Sequence, residues 1–399
     1  MVIPSSTSVR PTSDSASGQL RAVCTPTGHS NLRTISSTPF LLTLTQKVIF
    51  FLSTSVILLH QRNCPSELAN CGKEHINELQ NAAKGIIDLC PVPDSSRQLD
   101  QLIERAYISL LASSSADPFQ WRRLYSDASV VRSLADLASP QALDEKTAIS
   151  CIARLDHALI ITGAPGQGVQ TLIQNLILRT QAKYLPREPF KYTPNLSIHP
   201  TRSPSHHIPV LTTSFGAIPR LVDVPSLSVF RHELLKKPFI LTGFASDWPA
   251  MNEHPWRSID YLRSVAGRGR VVPVEVGKDY RTDDWTQRMM PWDDFLDVLE
   301  KEPTDSQTII YMAQHNLLTQ FHALREDILI PDYVFTAPPA PASYPFYKPP
   351  RNEEELALNA WLGPAGTVSP AHTVCPISLA KLRTRFSAWR SGSIFQLLR

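Results

Sequence analysis

The chain has 399 residues, with 39 Lys and Arg against 36 Asp and Glu and a formal net charge of +3. That length leaves room for two or three domains, and so mild a charge gives no direct signal for a nucleic-acid-binding surface. The six cysteines are Cys24, Cys64, Cys71, Cys90, Cys151 and Cys375. None forms a C-x-x-C pair, and Cys64 and Cys71 lack His partners at zinc-finger spacing. They read as scattered thiols of a reducing compartment, nuclear or cytoplasmic.

Residues 1–65 read as a disordered leader: positions 1–39 are rich in Ser, Thr and Pro with little apolar periodicity. Inside the leader, Phe40–His60 is the one membrane candidate. Its length suits a span, but Gln46 and Lys47 sit within it, and Lys at a bilayer centre costs about 2.5–3.5 kcal/mol. A membrane anchor is therefore not expected.

A helical domain is predicted over 66–184. Leu99, Leu102, Ile103, Ala106, Leu110 and Leu111 recur at helical spacing on one face. Asp117-Pro118 and Ser139-Pro140 resemble helix starts with a first-turn proline. Trp121, Leu124, Val131 and Leu134, then Ile149, Ile152, Leu155 and Leu159, form two more stripes. Val169, Leu172, Ile173, Leu176 and Ile177 form a fourth. The run Gly163–Gly168 invites comparison with a phosphate loop, but Val169 and Gln170 stand where Lys and Ser or Thr are needed. It is predicted to be a turn between helices.

Residues 185–218 carry Pro, Ser and His without periodicity and read as a linker, in which His206 and His207 are solvated side chains. Beyond Arg220 short apolar runs alternate with helical stretches. Pro238–Gly243, Arg270–Val276 and Thr308–Ala313 have strand character, Ser258–Val265 and Trp292–Leu299 helical character, and Ala337–Pro350 is a proline-rich loop. Along 356–362, Leu356, Leu358, Ala360 and Leu362 fall on one side of a strand and Asn359 and Trp361 on the other. That alternation suits a strand with one face on a core and one on a cavity.

Taken in order, RLVDVPSLSVF, KKPFILTGFASDWPA, VVPVEVGKDYRTDDWTQ, IIYMAQHNLL, IPDY and NAWLGPAGTVSPAH resemble the JmjC family of Fe(II)- and 2-oxoglutarate-dependent oxygenases. The likeness is to its JmjC domain-containing protein 5 group, also called lysine demethylase 8-like, and covers about 219–373. WRRLYSDAS and HALIITGAPG resemble that group's helical region. The resemblance implies an α+β protein: an N-terminal helical domain followed by an incomplete JmjC domain, a cupin-like double-stranded β-helix. It implies Fe(II) and 2-oxoglutarate as cofactors and a histone or other protein as substrate, with hydroxylation or lysine demethylation as the reaction.

Residue by residue, His372 matches the first metal-binding His, and Ser369 a hydroxyl that hydrogen-bonds the 2-oxoglutarate carboxylate. Tyr311 matches a tyrosine of the same pocket, with Gln314 beside it, and Asn359 and Trp361 would face the site. Imidazole suits Fe(II), and neutral hydroxyls can bind a carboxylate without leaving a buried charge unpaired.

The resemblance breaks after Thr373. The facial triad needs two His and one carboxylate, yet the carboxylate position is Val374. Residues 374–399 form a non-family basic tail, in which 376–399 hold five Lys or Arg and no acid. Val374-Cys375 is compatible with the codons GTATGT, the form of an intron donor site, so a misplaced splice boundary is one origin of the tail and a short isoform is another. The expectation is a chain that binds neither cofactor productively, with an open sheet edge at 356–372 for want of partner strands. The competing expectation is a non-catalytic interaction protein working through its helical domain.

Overall fold

The computed structural model describes residues 68, 71–88, 94–112, 118–138, 144–191, 218–234, 239–277, 285–301, 309–335, 345–346, 357–364 and 367, and the backbone of strands at 382–386 and 393–398. Five helices make up the N-terminal half among these residues: α1 Lys73–Ile87, α2 Ser95–Ala112, α3 Phe119–Ala138, α4 Glu145–His157 and α5 Val169–Tyr184. The predicted α2 stripe folds inward through Leu99, Leu102 and Ala106, all fully buried. Its end does not: Leu111 is exposed, as is Ile108 outside the stripe.

Helix α3 is the central rod, with Leu124, Ala128, Val131 and Leu134 buried. Of its buried polar side chains, Arg123 and Ser126 find partners, whereas the Ser129 hydroxyl has none among the described residues. Arg123 Nε donates to Asp127 Oδ2 at 2.7 Å, and the Ser126 and Thr162 hydroxyls meet at 2.6 Å. The start of α4 lies later than Ser139-Pro140, which falls outside the described residues. Asp144 caps the helix, its side chain accepting from the Thr147 N–H at 2.8 Å; the capping carboxylate decides the boundary. Helix α4 runs on as a π-turn over Ala158–Thr162. Gly163–Gly168 is then a turn, as predicted. At Gly166 φ is +109°, and a Cβ would lie 1.8 Å from Arg123 Nη1, so only glycine fits there.

The C-terminal half is built on a six-stranded sheet of order β4-β3-β5-β6-β8-β7, with every neighbouring pair antiparallel. Its strands are β3 Val271–Val276, β4 Thr286–Pro291, β5 Ile310–His315, β6 Ala357–Leu362, β7 Leu382–Phe386 and β8 Ser393–Leu398. A short parallel pair, β1 Arg220–Leu221 with β2 Ile240–Leu241, stands apart from it. One sheet face carries Val272, Val274, Ile310, Met312, Leu358, Ala360 and Leu362 into a core with Trp292, Phe295 and Leu296. The last three lie on α7, Trp292–Glu300; α6, Ile259–Ala266, adds Tyr261, Leu262 and Ala266. The alternation read along 356–362 therefore places Leu358, Ala360 and Leu362 on the core side.

Two expectations are corrected. Residues 185–191 are not a free linker: Leu185 is buried, Arg187 pairs with Asp293 at 2.7 Å, and the Phe190 ring meets Tyr261 edge-on at 5.3 Å. The rest of the predicted linker, with His206 and His207, lies outside the described residues. Nor does the described part of 356–372 lack partners, because β6, Ala357–Leu362, pairs with β5 on one side and with β8 on the other, from Ala357↔Leu398 to Trp361↔Ile394. An unpaired strand edge is satisfied by any chain with strand geometry in reach, and here the tail supplies the β7–β8 hairpin.

Among the described residues no helix is long and apolar enough to cross a membrane. The leader, including Phe40–His60, lies outside them.

Candidate functional site

The candidate site residues Tyr311, Asn359 and Trp361 lie on the side of the sheet away from the core. Glu275 stands opposite Tyr311 in the β3–β5 ladder. Residues paired across antiparallel strands point to the same side, and their neighbours Val274 and Met312 belong to the core. Asn359 and Trp361 alternate with Leu358, Ala360 and Leu362, so they share that non-core face, as the sequence predicted. Tyr311 is 8% exposed and Trp361 6%, while Asn359 is half-buried.

Between Met312 and His315 the β5–β6 register shifts. Gln314 sits in the irregularity, exposed and with φ of 52°, a left-handed backbone that few residues other than glycine adopt. Bulges of this kind re-aim side chains and recur beside functional sites. Tyr311 packs against the start of the loop after β6: a Cβ on Gly363 would lie 2.8 Å from Tyr311 Cδ2 and 2.6 Å from Thr367 Oγ1. That loop folds on itself, with Thr367 Oγ1 donating to the Pro364 carbonyl at 2.7 Å.

The sequence reading overlooked Glu275. Its Oε2 accepts from Trp285 Nε1 at 3.3 Å, so the residue opposite Tyr311 in the ladder is a carboxylate held by an indole N–H. The signal was present, since Glu275 is the one carboxylate of a strand whose other positions are apolar and has the parity of the non-core side. Ser369 and His372 lie outside the described residues, so Tyr311, Gln314, Asn359 and Trp361 are the predicted site residues whose placement is seen.

Among the described residues no group of three His, Cys, Asp or Glu side chains is arranged to hold a metal. At 374, where the resemblance calls for a carboxylate ligand, the sequence has the aliphatic Val374. The organic co-substrate fares better, because a buried tyrosine hydroxyl is a suitable donor to a carboxylate.

Residues 227–374 match the cupin-like domain family, and the match ends at Val374. Residues 227–374 are thus similar to a cupin-like domain, and the chain is similar to JmjC-domain proteins. Within that family its likeness lies with the JmjC domain-containing protein 5 and lysine demethylase 8 group. It is 33% identical over 292 residues to lysine-specific demethylase 8 of Danio rerio, covering 71% of this chain and 65% of the relative. To Jumonji C domain-containing protein 5 of Drosophila melanogaster it is 41% identical over 167 residues, 40% of this chain and 37% of the relative. To lysine-specific demethylase JMJ30 of Arabidopsis thaliana it is 40% identical over 135 residues, 34% of this chain and 28% of the relative. The chain thus spans less than two thirds of the length of these relatives.

Proposed function

We propose that the non-core face around Tyr311 is the pocket of a 2-oxoglutarate-dependent oxygenase acting on a protein side chain, and that this chain leaves its iron centre incomplete. The observation that carries the reading is the Glu275–Tyr311 pair on the face opposite the core, followed in sequence by a metal motif with Val374 in the carboxylate position. Tyr311 and Ser369 would hold the co-substrate carboxylate, and His372 would be the one metal ligand supplied. Bound together, Fe(II) and 2-oxoglutarate would supply the oxidising power.

The names of two relatives specify lysine demethylases. A basic side chain of a histone or other protein is the matching substrate. Glu275 offers it a counter-charge, and the Trp285 ring offers it a cation–π face.

The test is a titration of the full chain with Mn(II) and 2-oxoglutarate, using calorimetry for the metal and Trp fluorescence for the co-substrate. No saturable stoichiometric metal site is expected. 2-Oxoglutarate alone should bind weakly, and Tyr311→Phe should abolish the signal. One tight Mn(II) per chain would overturn the incomplete-centre reading, and the absence of any 2-oxoglutarate effect would overturn the pocket.

A second reading is a non-catalytic interaction protein. It draws on Ile108 and Leu111, 55% and 69% exposed, three residues apart along α2. Capture of a partner that is lost in Ile108→Asp, from a chain that binds no 2-oxoglutarate, would favour it.

A further inference from the structure

Strands β3 and β5 pair at Glu275–Tyr311 and Val276–Ile310; no ladder pairing extends toward the start of β3. There a side chain bridges them. Gln320 Nε2 donates to the Val271 carbonyl at 2.7 Å, and Gln320 Oε1 faces His315 Nε2 at 2.6 Å. Because the amide NH2 is committed to a carbonyl, Oε1 is the acceptor and the imidazole Nε2–H is the donor.

Behind this bridge stands a charge pair that crosses from the helical half. Asp156, on α4, accepts from Arg270 Nε at 2.9 Å and Nη2 at 2.7 Å, and from the Val271 N–H at 2.9 Å. Arg270 Nη2 also donates to the Gln320 carbonyl at 2.9 Å, and its guanidinium lies 4.6 Å from the centre of the Phe321 ring. Asp156, Arg270 and Gln320 are 0%, 6% and 3% exposed. A buried, planar, bidentate pair fixes geometry more tightly than a point charge does.

We propose that Asp156 is a positioning residue for the pocket: through Arg270 and Gln320 it fixes the course of β5 and so the place of Tyr311. The reason lies in the strand itself. Beyond Tyr311 the ladder to β3 is lost on one side and broken by the bulge at Gln314 on the other, so backbone pairing alone does not set where β5 runs. The Gln320 bridge holds His315 just past the bulge, and Asp156 holds the bridge. The helical half is then part of the pocket's frame, although it contributes no residue to the pocket. The functional consequence rests on the pocket reading given above.

The test compares the full chain with Asp156→Asn and with Gln320→Leu, the latter leaving the Asp156–Arg270 pair in place should the former fail to fold. Hydrogen exchange is followed in peptides covering 310–315 and in α2 and α3, and 2-oxoglutarate affinity is measured by Trp fluorescence. In both variants exchange at 310–315 should rise about tenfold, the scale of one lost hydrogen bond to a polar partner. Exchange in α2 and α3 should be unchanged and 2-oxoglutarate affinity should fall. Unchanged exchange at 310–315 in Gln320→Leu, or acceleration spread evenly over the chain, overturns the proposal. Local acceleration in a chain whose unsubstituted form binds no 2-oxoglutarate supports the positioning of β5 and removes the pocket reading instead.

Discussion

Gly363 and Tyr311 occupy one another's space: a Cβ on Gly363 would come within 2.8 Å of Tyr311 Cδ2, with Thr367 Oγ1 at 2.6 Å on its other side. The Tyr311 ring is therefore seated on bare backbone at the start of the loop after β6.

Gly363→Ala is expected to destabilise the chain by about 1–3 kcal/mol, the usual cost of forcing a methyl into a filled site. Urea denaturation would measure it. Thr367→Ala, which removes both the hydroxyl at 2.6 Å and the methyl at 3.2 Å from that Cβ, should recover part of the loss in the double variant.

Asp327 organises a second buried cluster. Its carboxylate, 1% exposed, accepts from Trp256 Nε1 at 2.7 Å, from the Tyr261 hydroxyl at 2.5 Å and from His254 Nδ1 at 2.6 Å. Burial, together with the adjacent carboxylate, pushes the Tyr261 phenol well above its usual range. Asp327→Ala strands the Trp256 and Tyr261 donors in the interior, while His254, 51% exposed, can turn to water; the expected cost is about 1–3 kcal/mol for each stranded donor. Tyr261→Phe removes one donor and should cost about 1.5–3 kcal/mol. Thermal melts of the two variants would rank them, and equal losses would contradict the shared-carboxylate account.

Stability should fall on mild acidification. Burial lowers the pKa of both His315 and His157 below the ordinary imidazole value. The folded chain thus resists a proton that the unfolded chain accepts. The stability this represents is present above the unfolded pKa, about 6.5, and is lost as pH drops from there through the depressed folded values. Melting temperature measured from pH 7.5 down to 5.5 should decline, and His315→Gln, which retains a donor toward Gln320, should flatten the decline.

Cys71 and Cys151 should be poor nucleophiles in the folded state. Desolvation by burial raises each thiol to about 11, and thiolate is the reactive form. Alkylation with iodoacetamide at pH 8 should leave both unmodified until denaturant is added. Rapid native labelling of either would contradict their burial.

Much of the architecture was written locally. The helical stripe at Leu99, Leu102 and Ala106, the glycine turn at 163–168 and the alternation at 356–362 each follow from side-chain period or backbone freedom within a short window, and each was legible. Boundaries were less so. Helix α4 begins at Glu145 because Asp144 caps it, although Ser139-Pro140 carries a comparable start signal. Of the candidate site, Asn359 and Trp361 share the non-core face that alternation along the strand predicts, and Tyr311 lies on the same face. Glu275 was passed over because a single acid in a strand has no motif of its own.

The helical and strand periods, the family motifs and the presence of Val374 where the resemblance calls for a carboxylate depend on residue identity at fixed spacing, so they are readable along the chain. Which distant residues come together is settled by folding alone. Asp156 and Arg270 lie 114 positions apart, and no local pattern marks them as partners. The β6–β8 pairing and the seating of Tyr311 on Gly363 are of the same kind. Strand pairing, buried ion pairs and steric seats are relations between segments, and they come into being only when the chain closes on itself.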